Sequence, residues 1–143
     1  MQVLFVCTGN TCRSPMAEAI FLQEAAKREL GERLHADSCG LAAYPGAPAS
    51  ENAVLAMQEQ GCDLREHRAK CATADLLTAA DRIVCMSAAH AAAIRSALPA
   101  LTPRITVFDP PIPDPYGGDP DCYRATAAAL RTAICSLLDQ FDC

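Results

Sequence analysis

The chain has 143 residues, 51% of them hydrophobic and 20% charged, with a formal net charge of −5. That composition suits one compact domain over residues 1–143 and excludes a disordered chain, while the negative charge argues against general nucleic-acid binding. No apolar run reaches the roughly 18–20 residues that span a bilayer, and the opening Met-Gln-Val-Leu-Phe-Val lacks a basic signal-peptide start, so no membrane partner is expected and the cytoplasm is the expected compartment.

In chain order, residues 2–6 form a short apolar run with β-branched members, which reads as a buried first strand. Ser14-Pro15 then has the form of a helix start, with Ser14 at the cap and Pro15 at the first helical position. Met16, Ala19, Ile20, Leu22, Ala26 and Leu30 recur at helical spacing, and Gly31 supplies the stop. A second strand is expected over 34–38, a Gly/Pro/Ala loop to Ser50, and a helix over 51–60 ended by Gly61. A third strand over 82–86, an alanine-rich helix over 88–98 and a fourth strand over 104–108 follow. The proline-dense segment 109–119 is too kinked for regular structure, and Tyr123, Ala127, Leu130, Ile134, Leu137, Leu138 and Phe141 trace a last helix. Strands alternating with helices imply an α/β fold with a parallel sheet, which binds ligands beyond the carboxyl ends of its strands.

Nine cysteines without a C-x-x-C pair suit neither a small disulfide scaffold nor a zinc site. Cys39, Cys62, Cys85 and Cys135 read instead as small buried hydrophobes. Cys7 differs. It opens Cys7-Thr8-Gly9-Asn10-Thr11-Cys12-Arg13-Ser14, a C-x5-R-S pattern between an expected strand and an expected helix start. The pattern alone arises by chance in roughly one such chain in twenty, but the strand before it and the helix after it make coincidence rare.

The chemistry follows from the parts. A loop closing onto a helix N-terminus turns backbone N–H groups inward and forms an anion nest with the helix dipole behind it. Arg13 can bind two phosphoryl oxygens through its planar fork. The same positive surroundings favour the thiolate of Cys7, the form that acts as a nucleophile. Gly9 and Asn10 suit a loop that needs a left-handed backbone. Ser14 can donate a hydrogen bond to the thiolate. A departing group must also be protonated, and the proline-rich loop offers Asp109-Pro110 and Asp114-Pro115, between which composition does not choose.

Residues 3–18, VLFVCTGNTCRSPMAE, resemble the signature of the low-molecular-weight protein-tyrosine-phosphatase family, and the resemblance extends over nearly the whole chain. Asp37-Ser38, His67-Arg68-Ala69 and Asp114-Pro115-Tyr116-Gly117-Gly118 fall where the family has comparable segments. The resemblance implies a single three-layer domain with a four-stranded parallel sheet flanked by helices, and no metal or organic cofactor. It gives Cys7 the role of nucleophile, Arg13 that of phosphate clamp and Asp114 that of general acid, demoting Asp109. It also makes Asn10, Ser38 and His67 the network that holds the phosphate loop, with Tyr44 and Tyr116 as walls of the substrate cleft. Thr8, Gly9, Asn10, Thr11, Cys12 and Ser14 complete the expected substrate-binding set, in a monomer that acts on phosphorylated proteins.

One departure narrows the substrate. Tyrosine-directed members usually carry a bulky aliphatic residue where this chain has Thr11, and C-T-G-N-T-C-R-S resembles the bacterial protein-arginine-phosphatase branch. A planar guanidinium suits a less apolar and less crowded rim than a phenyl ring does. Phosphoarginine is therefore the expected substrate, with phosphotyrosine as the alternative. Cys12 adds a redox expectation, because a nearby thiol can trap an oxidised Cys7 as a disulfide. Two rivals stand further off. An arsenate reductase would need relay cysteines such as Cys71 and Cys85, and a phosphate-binding module would have no use for a nucleophile and an acid together.

Overall fold

Short apolar strands between amphipathic helices can bury both faces of a sheet only by placing helices on each side. The computed structural model, which describes residues 1–141, is built that way. Its elements are β1 (Gln2–Cys7), α1 (Arg13–Lys27), β2 (His35–Gly40), α2 (Glu51–Gln58), α3 (Ala74–Ala79), β3 (Arg82–Cys85), α4 (Ala88–Ala97), β4 (Ile105–Val107) and α5 (Pro120–Phe141). The four strands run parallel in the order β2-β1-β3-β4. Among the described residues no helix is long and apolar enough to cross a membrane.

Strand β1 lies at the centre, and its side chains alternate between two apolar layers. Val3 and Phe5 pack with Met16, Ile20 and Phe21 of α1 and with Leu130, Ile134 and Leu138 of α5. Leu4 and Val6 pack with Ile83 of β3, Ala91 and Ile94 of α4, and Leu77 of α3. From β1 the chain goes first to β2 on one side and later to β3 on the other, so the carboxyl end of β1 is the topological switch point. Cys7 is its last residue.

Two local expectations give way to tertiary contacts. Helix α1 does not stop at Gly31: Lys27 is its last residue, and Glu29 takes a left-handed φ of 60°. Leu30 N–H donates to Ala25 O at 2.8 Å and Glu29 N–H to Ala26 O at 3.1 Å, the paired bonds of a Schellman cap. Burial of Leu30 against the α1/α5 layer selects this ending although Glu29 is not glycine. Nor is Ser14 the cap of α1. The helix begins at Arg13 with Cys12 in the cap position and no side-chain cap bond, and the Ser14 hydroxyl serves elsewhere. The short α3 and the 3₁₀ segment Pro99–Arg104 lack a readable apolar period; α3 is held at its start by Thr73 Oγ1, which accepts from Leu76 N–H.

Gly40, the last residue of β2, touches the loop that follows β1. A Cβ there would lie 2.5 Å from Thr8 O and 2.9 Å from Asn10 N, both backbone atoms that have no freedom to yield. Gly40→Ala is therefore expected to destabilise the fold by about 1–3 kcal/mol, as overpacking does. Denaturant melts alongside phosphate affinity check this, and both should fall.

Candidate active site

Residues 7–14 wrap from the end of β1 into the first turn of α1, and one buried residue sets their course. Asn10 adopts a left-handed backbone with φ 56°, whereas Gly9 does not need one. Its N–H donates to Cys7 Sγ at 3.3 Å. Its Nδ2 donates to Ser14 Oγ at 2.8 Å and to Ser38 Oγ at 2.9 Å. Its Oδ1 accepts from Lys70 N–H at 3.0 Å, and its carbonyl lies 2.7 Å from His67 Nε2. A carbonyl can only accept, so Nε2 is the protonated nitrogen of His67.

Cys7 Sγ lies 2.9 Å from Ser14 Oγ. The Ser14 hydroxyl has one proton and two acceptors within reach, Cys7 Sγ and, at 3.4 Å, Cys39 O. A thiolate at Cys7 draws that proton to itself. Asn10 and Ser14 are fully buried, and their contacts are with Cys7, with one another and with the neighbouring strand and loop.

Arg13 is buried with its guanidinium at the cleft. Nη1 donates to Ile112 O at 3.0 Å, and Nη2 lies 3.6 Å from Asp114 Oδ2. Asp114 is itself held in a turn, where Oδ1 accepts from Tyr116 N–H at 3.0 Å, and its side chain is 52% exposed. The result is a cleft of about 210 Å³ lined by Cys7, Thr8, Gly9, Thr11, Cys12, Arg13, Asp114 and Tyr116. Asp109 lines a separate depression with Thr106, Phe108 and Leu137. Tyr116 stands at the cleft edge, whereas Tyr44 is 81% exposed on the 41–50 loop and outside the lining set. A larger groove of about 440 Å³ between α2 and α5 holds Asn52, Leu55, Glu59 and Arg124 and contains no nucleophile.

The other cysteines divide by surroundings. Burial pushes the Cys39 and Cys85 thiols up to about 12, which leaves both inert near neutral pH. Cys71 donates to Ala43 O at 2.9 Å. Cys62 and Cys135 are only half-buried. Cys12 is buried and polar-contacted, 3.0 Å from Ser50 Oγ and 3.4 Å from Tyr123 Oη. Burial, followed by the Cys12 thiol beside it, pushes Tyr123 up to about 12.

Two residues of the site escaped sequence reasoning. Glu18 Oε1 accepts from Ser38 Oγ at 2.7 Å, extending the network Cys7–Ser14–Asn10–Ser38 to a carboxylate on α1. An ionised Glu18 can only accept, which commits the Ser38 proton to it and leaves the Ser38 oxygen free for Asn10. His90 is the second. It is 6% exposed, with Nε2 2.9 Å from Thr8 Oγ1 and Nδ1 3.1 Å from Ser87 Oγ. Burial, then Arg13, hold His90 below the usual histidine range, partly offset by Asp114. Its only sequence signal is Ser87-x-x-His90 at a helix start, the spacing of a reciprocal cap.

With this geometry in view, similarity to known proteins becomes specific. Residues 2–142 match the family model described as low molecular weight phosphotyrosine protein phosphatase. The protein-arginine-phosphatase of Bacillus subtilis (strain 168) is 35% identical over 147 residues, spanning 98% of this chain and 96% of its own. Low molecular weight protein-tyrosine phosphatase A of Mycobacterium tuberculosis (strain H37Rv) is 34% identical, spanning 99% and 92%. The crystal structure of a YwlE mutant from Bacillus subtilis superposes with a TM-score of 0.94 at 31% identity, covering 100% of this chain and 99% of that one.

Glu18 yields a test of the network. Burial raises its pKa, against the opposing pull of the Ser38 bond. A raised native pKa means that the folded chain binds this proton more tightly than the unfolded one, so stability is present at low pH and lost as pH rises through the native value. Glu18→Gln keeps an acceptor for Ser38 and removes the titration. Thermal melts should show the variant more stable than the parent at pH 7, with the gap closing as pH falls below the ordinary glutamate range.

Proposed function

The chain belongs to the low molecular weight phosphotyrosine protein phosphatase family, and we propose that it hydrolyses phosphoarginine in proteins through a cysteinyl-phosphate at Cys7. The observation that carries this reading is the convergence of Cys7, Arg13 and Asp114 on one small cleft whose other walls include Thr8, Gly9 and Thr11. Cys7 Sγ attacks phosphorus as a thiolate, with Ser14 Oγ donating to it beforehand and again when it leaves. Arg13 spans two phosphoryl oxygens and carries the charge that builds on them. The bond from phosphorus to the guanidino nitrogen breaks as that nitrogen takes a proton from the Asp114 carboxyl. Asp114, now a carboxylate, accepts a proton from water as the water attacks the cysteinyl-phosphate, releasing inorganic phosphate and restoring the thiolate.

The preference for arginine rests on the rim. Thr11 presents a short, half-polar side chain there, leaving room for a planar cation. Asp114 already sits 3.6 Å from one guanidinium, that of Arg13, and in its ionised form can meet a second from the substrate before it takes up from water the proton it then donates. Phosphotyrosine is the second reading, favoured by the ring of Tyr116, 77% exposed at the cleft edge, on which a phenyl group can rest. An arsenate-reductase relay is disfavoured by the high Cys85 thiol and by the bond that commits Cys71 to Ala43 O.

Matched phosphoarginine and phosphotyrosine peptides decide the substrate. The parent should show the higher kcat/KM on phosphoarginine, and Thr11→Ile should shift the ratio toward phosphotyrosine by about 10–200-fold. Asp114→Asn should lower kcat by about 10²–10⁴-fold, and Cys7→Ser should abolish turnover. A parent that prefers phosphotyrosine overturns the arginine reading and leaves the machinery in place.

For oxidation, we propose that Cys12 protects Cys7 by forming a reversible disulfide with its sulfenic acid, water leaving as the S–S bond forms. Support comes from its place in the same cleft lining. After a peroxide pulse and then thiol reductant, Cys12→Ser should recover a smaller fraction of its activity than the parent. Equal recovery sinks the idea.

A further inference from the structure

Thr8 and His90 are 82 positions apart in sequence, yet their side chains meet at 2.9 Å. The hydroxyl of Thr8 belongs to an exposed residue at the cleft mouth, while Cys7 and Arg13 are buried at its floor. A threonine hydroxyl at such a rim would ordinarily rotate among its staggered positions. Here it is pinned from below by a rigid ring that does not itself line the cleft. The ring is pinned in turn, because Ser87 caps α4 and its hydroxyl, making no cap bond to the helix backbone, engages Nδ1 instead. The Thr8 backbone is fixed independently by Ala42 N–H, which donates to Thr8 O at 2.9 Å.

We propose that His90 is a positioning residue which, braced by Ser87, fixes the Thr8 hydroxyl at the cleft rim to contact the leaving-group side of the substrate. The proposal rests on the phosphatase reading above. The rim is the place of action: Thr8 belongs to the phosphate loop through its backbone, but it is an exposed residue of the cleft lining, so its side chain lies toward what extends beyond the phosphoryl group. Either neutral tautomer of His90 serves, since both flanking hydroxyls can donate or accept. The charged groups that act on the ring are Arg13 from α1 and Asp114 from the loop after β4. A neutral ring adds no cation beside a cleft proposed to receive a guanidinium.

A double-mutant cycle with steady-state kinetics tests this, run on whichever peptide, phosphoarginine or phosphotyrosine, the parent turns over faster. Thr8→Val and His90→Leu should each raise KM by about three- to tenfold, the effect of one lost hydrogen bond, with kcat little changed. The double variant should be no worse than either single, because both remove the same contact. His90→Gln, whose amide can reach Thr8, should recover most of the loss. The inhibition constant of inorganic phosphate, which has no leaving group, should stay at the parental value throughout. If His90→Leu does not fold, the cycle is completed with His90→Asn, which is polar but too short to reach Thr8. Independent, multiplying effects overturn the proposal. So does a phosphate constant that rises in step with KM, or a Gln variant no better than Leu. A parent that prefers phosphotyrosine would sink the substrate assignment while leaving this coupling readable.

Discussion

Everything at the cleft depends on Asn10 keeping a left-handed backbone inside the protein. That conformation costs an ordinary residue about 1–2 kcal/mol, and asparagine tolerates it best after glycine. Glycine could make the turn but could not supply the side-chain amide. Each polar group of Asn10 has a partner: Cys7 for its N–H, Ser14 and Ser38 for its Nδ2, Lys70 for its Oδ1 and His67 for its carbonyl. These partners come from β1, α1, β2 and the segment around 67–70, so no single element shapes the loop. Among the described residues no buried side-chain nitrogen or oxygen is left without a partner, which keeps a polar interior from becoming a liability.

The strand order explains how so short a chain assembles the rest. Since β1 lies between β2 and β3, its carboxyl end is reached from both flanks of the sheet. From the β2 side come Ser38 and the close approach of Gly40; from the β3 side comes His90 on α4; beyond β4 the proline-rich loop brings Asp114. Stiff prolines on either side of Asp114 restrict the backbone there, and its carboxylate accepts from Tyr116 N–H to close the turn.

What could be read in the sequence was what is local. The C-x5-R-S pattern between strand and helix carries its own geometry, and the apolar periods of β1, α1 and α5 are long enough to recognise. Resemblance to a family, not local pattern, was needed for Ser38, His67 and the choice of Asp114 over Asp109. Glu18 and His90 were invisible because their partners, Ser38 and Thr8, lie 20 and 82 positions away and no periodicity links such pairs. Ser14 was read both as a helix cap and as a partner of Cys7, and only the second holds: serine before proline is a good cap locally, but the hydroxyl is drawn to the thiol. Glu29 in place of Gly31 at the end of α1 is another case of burial, here of Leu30, overriding propensity.

The contact between Arg13 and Asp114 has one more consequence. The guanidinium faces a carboxylate of its own chain, an internal mimic of the anion it is proposed to bind. At 3.6 Å, with Asp114 half in water, the mimic is weak. It is strong enough to keep the guanidinium aimed, together with Ile112 O, and weak enough to be displaced by a phosphoryl dianion. Ligand entry then becomes an exchange of partners: the arriving phosphoryl group takes the fork of Arg13, and the released carboxylate, no longer facing that cation, more readily takes up from water the proton that the proposed acid step spends.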